Sequence, residues 1–146
     1  MSAARVEFFN LARAGLSPAQ GAARLAALHY GRGRRVWVHA RDQRQAEELD
    51  QALWTYDPAS FLPHAPAGGP DQDQEPVVIS AQPAGPGPER VLILTHHQDQ
   101  PPLERHRHII LLLPERECPE LSAMRELYRR LQEQEGVEVI HSASLA

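Results

Sequence analysis

Val77-Val78-Ile79-Ser80, Val91-Leu92-Ile93-Leu94 and Ile109-Ile110-Leu111-Leu112-Leu113 are three short, mostly apolar runs in the second half of a 146-residue chain. A sheet with one wet face alternates apolar and polar side chains, whereas unbroken runs suit a parallel sheet covered on both faces. Covering both faces takes interleaved helices, and the sequence supplies them. Ser17-Pro18-Ala19-Gln20 combines a capping Ser, a Pro at the first helical position and a Gln placed to close a capping box. The helix it starts buries Ala22, Leu25, Ala26 and Leu28 and stops at Gly31, whose missing side chain suits a left-handed residue. Arg35 to Ala40 reads as a strand. Asp42 caps a second helix with Gln45 in the box position, and Ala46, Leu49 and Leu53 fall on one of its faces. A last helix runs from near Pro119 to Glu135 with Leu121, Met124, Leu127 and Leu131 inward. Gly136 stops it, and Val137 to Ile140 closes the sheet begun at Val6 to Phe9. The expectation is one three-layer α/β domain over residues 1–146 with a largely parallel sheet. The Pro- and Gly-rich stretch 65–76 reads as a mobile surface loop.

Composition narrows the function. A net charge of −4 and a pI near 6.0 argue against a general nucleic-acid coat, so direct DNA binding is expected to be weak at physiological salt. All fifteen basic residues are arginine. The single Cys118 rules out an internal disulfide and a cysteine-based zinc site, which fits a reducing cytoplasm. No stretch reaches the roughly 18 apolar residues of a membrane span, and Met1 to Arg13 lacks a secretory apolar region.

A parallel α/β chain invites a search for a phosphate loop. Gly31-Arg32-Gly33-Arg34-Arg35 stands between a helix and a strand, the reverse of the strand-to-helix position in which backbone amides face a pyrophosphate. A Walker loop needs a lysine, and the chain has none. No cofactor is therefore expected. His96-His97 follow one apolar strand and Arg105-His106-Arg107-His108 precede another, which leaves open a small hydrolase-like enzyme using His96, His97 or Asp99 at strand ends. Against it, adjacent histidines on a strand point apart and no Ser sits on a nucleophile elbow. Cys118 beside Pro119 falls at a helix start, as a structural cap or a thiol of lowered pKa.

Two constellations suit protein partners instead. Leu49-Asp50-Gln51-Ala52-Leu53-Trp54 ends a helix on a large ring, and Ser60-Phe61-Leu62-Pro63-His64 brings a second ring close behind it. Trp54 and Phe61 then either anchor a partner or cap the core. On the last helix, Arg125, Tyr128 and Arg129 at i, i+3 and i+4 share one flank, a ring beside two cations. An acidic peptide with a hydrophobic C-terminal residue fits it: arginine clamps the terminal carboxylate and the ring packs on the side chain. The alternative is a solvated flank in which these arginines pair with neighbouring glutamates such as Glu126, Glu133 and Glu135.

The order of these segments resembles the chi subunit family of bacterial DNA polymerase III holoenzyme. It runs through Leu-Asp-x-Ala-Leu-Trp at 49–54, Ser-Phe-Leu-Pro-His at 60–64, Pro-Val-Val-Ile at 76–79 and a last helix carrying Arg-Glu-Leu-Tyr-Arg-Arg. The resemblance spans nearly the whole chain and is densest from Gly33 to His64. It implies a Rossmann-like fold without nucleotide and a non-catalytic accessory of the clamp loader. It also implies binding to the acidic C-terminal tail of single-stranded DNA-binding protein through Arg125, Tyr128 and Arg129, the last commonly Lys in the family. A second partner, the small psi subunit or in its place a repair helicase, would meet Trp54 and Phe61. The ending His141 to Ala146 lacks the aromatic terminus of some relatives.

Overall fold

A computed structural model describes residues 4–55, 63–66, 72–83 and 88–143. Seven strands form one sheet: β1 (Ala4–Asn10), β2 (Val36–His39), β3 (His64–Pro66), β4 (Val77–Ser80), β5 (Val91–Leu94), β6 (His108–Leu113) and β7 (Val137–Ser142). Their order is β3-β4-β2-β5-β6-β1-β7, and every paired neighbour is parallel. The helices are α1 (Leu11–Ala14), α2 (Pro18–Gly31), α3 (Gln43–Thr55) and α4 (Pro119–Gln132).

Successive residues of each strand serve opposite cores, which is why the strands read as continuous apolar runs. Phe9, Val36, Val38, Val91, Ile93, Ile110 and Leu112 pack against Leu25 and Ala26 of α2 and Leu49 and Leu53 of α3. Val6, Phe8, Trp37, Leu92, Leu94, Ile109 and Leu111 form the other core, against Met124, Leu127 and Leu131 of α4. Right-handed crossovers explain the division. From β1 the chain crosses through α2 towards one edge, and from β6 it crosses through α4 towards the other, so the two helices lie on opposite faces. The adjacent carboxyl ends of β1 and β6 are therefore where the winding reverses, the position at which parallel α/β sheets open a crevice.

Local chemistry sets the helix starts. At α2 the capping box is complete: Gln20 N donates to Ser17 Oγ at 3.2 Å and Ser17 N donates to Gln20 Oε1 at 3.0 Å. Asp42 Oδ1 accepts from Gln45 N at 2.8 Å, but the Gln45 amide oxygen accepts from Arg41 N rather than from Asp42. Three boundaries differ from the expectation. Gly31 remains helical and it is Gly33 that takes the left-handed turn, at φ 78°. The last helix ends at Gln132 instead of Glu135, though Gly136 is left-handed at φ 79°. The stretch expected as one loop contributes the edge strand β3 and a 3-10 turn over Gln72–Gln74, with residues 67–71 outside the described part. Three residues ending in Pro66 carry too little pattern to announce a strand, and proline is tolerated there because the strand is an edge.

Candidate functional site

The flank of α4 forms the wall of a groove beside the carboxyl ends of β1, β6 and β7. The groove holds about 580 Å³, and Arg125, Tyr128 and Arg129 all line it. Its floor is Phe8, Leu113, Leu121 and Met124, and Asn10, Gln132 and His141 complete it. No carboxylate is among the described residues that line it. Tyr128 is held by an edge-to-face contact with Phe8, centroids 5.1 Å apart and planes at 71°. The ring is thus fixed to the core while its outer part remains accessible.

Both guanidinium groups already hold carboxylates. Arg125 meets Glu117 with both terminal nitrogens, Nη2–Oε1 at 2.5 Å and Nη1–Oε2 at 3.1 Å. That forked hydrogen bond pushes the Glu117 pKa down and the Arg125 pKa up. Arg129 Nη1 donates to Glu126 Oε2 at 3.2 Å. All four side chains are more than half exposed, so water screens these pairs and an incoming carboxylate can replace either glutamate. Pairing with neighbouring glutamates and openness to a ligand thus describe the same two arginines. Glu117 was missed from the sequence because it precedes the helix, and no i, i+4 spacing links it to Arg125.

Cys118 occupies the N-cap of α4 in extended backbone, but its side chain makes no capping hydrogen bond. The first turn is secured from outside: Arg41 Nη2 donates to both oxygens of Glu120, at 3.1 and 3.2 Å.

Trp54 at the end of α3 is 53 % exposed. It is the exposed large hydrophobic side chain of the described residues, and its ring meets His64 of β3 edge-on, centroids 4.7 Å apart. His64 Nε2 in turn sits 3.2 Å from Asp50 Oδ1 on α3, so strand β3 holds the helix end that presents the indole. Phe61 lies outside the described residues. Trp54 and the groove are borne by different elements, α3 with β3 against α4 with β1, β6 and β7, and share no lining residue.

The strand-end histidines pair off separately. His96 packs edge-on against His39, centroids 4.9 Å apart, and burial lowers the pKa of both rings, the neighbouring His39 and Arg41 lowering His96 further. His97 turns away to Asp99, with Nε2–Oδ1 at 2.8 Å. Thr95 Oγ1 lies 2.7 Å from Gln45 Oε1, 3.0 Å from the His39 carbonyl and 3.4 Å from His96 Nδ1, so two acceptors stand closer to its one proton than the imidazole does. Gln98 Nε2 lies 3.0 Å from His39 Nδ1. No group of three or more metal-ligating side chains occurs among the described residues. The partnership of His39 with His96 was not legible in sequence because it depends on β2 and β5 being neighbours.

A parallel sheet covered by helices on both faces, with two arginines and a tyrosine in a groove at its switch point, defines an open α/β protein. The chain belongs to the family described as DNA polymerase III chi subunit, HolC, whose model matches residues 3–139. It is 34 % identical over 91 residues to DNA polymerase III subunit chi of Pseudomonas aeruginosa, a segment covering 62 % of each chain. It is also 39 % identical over 56 residues to the chi subunit of Escherichia coli K12, which is 38 % of each chain. The chi subunit of Haemophilus influenzae matches at 37 % over 59 residues, covering 40 % of this chain and 41 % of that one. The matched part thus spans less than two thirds of each relative. These relatives carry the name of a polymerase subunit, not of a hydrolase. Among the described residues no helix is long and apolar enough to cross a membrane.

Proposed function

We propose that this chain is a cytoplasmic, non-catalytic adaptor of the replicative polymerase. The α4 groove holds the acidic C-terminal tail of single-stranded DNA-binding protein, and the Trp54 end of α3 docks a second partner. That partner is the psi subunit of the clamp loader, or a helicase in its place, and no cofactor takes part. The observation that carries the reading is the convergence of Arg125, Tyr128 and Arg129 on one apolar-floored groove with no lining carboxylate among the described residues. A terminal carboxylate can take the position of Glu117 on the Arg125 fork, and a terminal apolar side chain can rest on Leu113, Leu121 and Tyr128.

Fluorescence anisotropy with a labelled acidic peptide ending in Phe tests this. Arg125→Ala should weaken binding roughly ten- to hundredfold, the scale of a lost charge-assisted pair, without a change in melting temperature. Glu117→Gln should tighten binding, because the competing carboxylate is gone. Peptide affinity unaffected by both Arg125→Ala and Arg129→Ala would place the pocket elsewhere.

The Trp54 surface makes a separate prediction. Trp54→Ala should lower unfolding stability by less than about 1 kcal/mol, as expected for a half-exposed ring, and leave peptide affinity unchanged. The complex with the bridging partner should be lost, since a central aromatic anchor carries about 2 kcal/mol or more. A Trp54→Ala protein that is stable and still binds that partner would refute the anchor.

A further inference from the structure

The groove leaves unused two arginine-rich motifs, Gly31-Arg32-Gly33-Arg34-Arg35 and Arg105-His106-Arg107-His108. The first leads into β2 and the second into β6, strands separated by β5 alone in an all-parallel sheet, so both arrive at the amino-terminal pole. There they join Arg5 of β1 and Arg90, which precedes β5. Arg5, Arg34, Arg35, Arg90 and Arg107 line one cavity of about 570 Å³. Among the described residues the carboxylates in its wall are Glu89 and Glu138, which leaves these lining residues a net charge of +3 with His108 neutral. On a chain of net charge −4 this is a local reversal of sign.

The cations are positioned by the fold. Arg90 is buried and donates to the carbonyls of Val36, Pro76 and Gln72 at 3.2, 3.3 and 2.9 Å. Arg35 donates to the Asp73 carbonyl, and Arg34 Nη1 donates to His29 Nδ1 at 3.0 Å. None of these three guanidinium groups is neutralised by the partner named, although the carboxylates of Asp73 and Glu75 act on Arg90 from nearby. Arg5 Nε lies 3.5 Å from Glu138, and Glu89 accepts from the backbone of Arg107 at 2.8 Å, leaving the exposed Arg107 side chain without an ion pair.

We infer that this amino-terminal pole binds the phosphate backbone of single-stranded DNA. Spaced guanidinium groups around a concave opening match a flexible phosphodiester chain. Among the described residues no Phe, Tyr or Trp lines the cavity, so they offer no stacking platform and binding should be indifferent to sequence. Two or three phosphate contacts give a weak, salt-limited interaction, compatible with little binding by the isolated chain at physiological salt. The inference is independent of the peptide reading, because pole and groove share no lining residue.

The test is anisotropy of fluorescein-labelled oligo(dT), about twenty nucleotides long, with the full chain in low and in physiological salt. Binding is expected at low salt, with log K falling on log salt with a slope of about −1.5 to −2, near −0.7 per phosphate. Arg107→Glu should weaken low-salt binding at least tenfold, and Arg34→Gln should reduce the slope by about 0.7. Arg125→Ala should change nothing. Absence of binding at low salt, wild-type affinity in Arg107→Glu, or displacement of the oligonucleotide by the acidic tail peptide with Arg125→Ala abolishing that displacement would each overturn the inference.

Discussion

Phe8→Ala is expected to cost the fold about 3–5 kcal/mol, the usual range for truncating a fully buried phenylalanine. Phe8 is 1 % exposed, paired in register with Leu111 of β6 and His141 of β7, and packed in the α4-side core with Met124 and Leu127. The same ring supports Tyr128 edge-to-face and floors the groove. Its removal leaves a void that neither neighbouring strand can close without shifting the sheet, and it also frees Tyr128. Tyr128→Phe keeps the ring and the contact and should change stability by less than about 0.5 kcal/mol. Urea unfolding measures both variants. A loss below about 1 kcal/mol for Phe8→Ala would mean that α4 is not seated on β1, and the groove would have no fixed floor.

The second large effect is acid sensitivity centred on His29. This ring is 3 % exposed at the end of α2, edge-on to His108 at 5.1 Å, and His108 Nε2 sits 3.1 Å from Glu7 Oε1. Burial first, then the nearby His108, Arg34 and Arg32, lower the His29 pKa to about 4, against the opposing charge of Glu7. Arg34 donates to His29 Nδ1, which requires that nitrogen to be unprotonated. The unfolded chain binds this proton near pH 6.5, and the folded one only near 4. Stability from the neutral ring is therefore complete above about pH 6.5 and is lost as pH falls towards 4, in total on the order of 3 kcal/mol. About 2 kcal/mol of it should be gone by pH 5. Glu7 adds a later loss of the same sign: burial raises its pKa, but the His108 hydrogen bond and charge outweigh this and hold it below the usual 4.5. Denaturant melts from pH 7.5 to 4.5 should show the slope, and His29→Gln should flatten it above pH 5. Equal stability of the wild type at pH 7.5 and 5 would contradict the burial of a neutral ring.

Most of the architecture was legible because it rests on local signals. Three unbroken apolar runs required a doubly covered parallel sheet, and Ser17-Pro18-Ala19-Gln20 marked a helix start down to both hydrogen bonds of its box. One boundary slipped because two nearby glycines could each end the helix: the local turn, in which Gly33 N donates to Tyr30 O and Arg34 N to His29 O, places the left-handed residue at Gly33 and not at Gly31. On the candidate site, i, i+3, i+4 spacing grouped Arg125, Tyr128 and Arg129. It did not reveal the rest of the lining, the floor residues Phe8 and Leu113 and the facing Asn10 and His141, from three strands distant in sequence. The basic pole was hidden for the same reason. Its arginines lie in segments some seventy residues apart, and summed charge averages them with the acidic residues elsewhere.

Amide chemical-shift mapping of the isotopically labelled chain, titrated with the acidic peptide ending in Phe, tests the central claim most directly. Saturable shifts should concentrate on residues 117–132, with Asn10 and His141 across the groove, while Trp54 and His64 stay unmoved. Shifts gathered at Trp54 and His64, or at the arginines of the amino-terminal pole, with α4 silent, would contradict it.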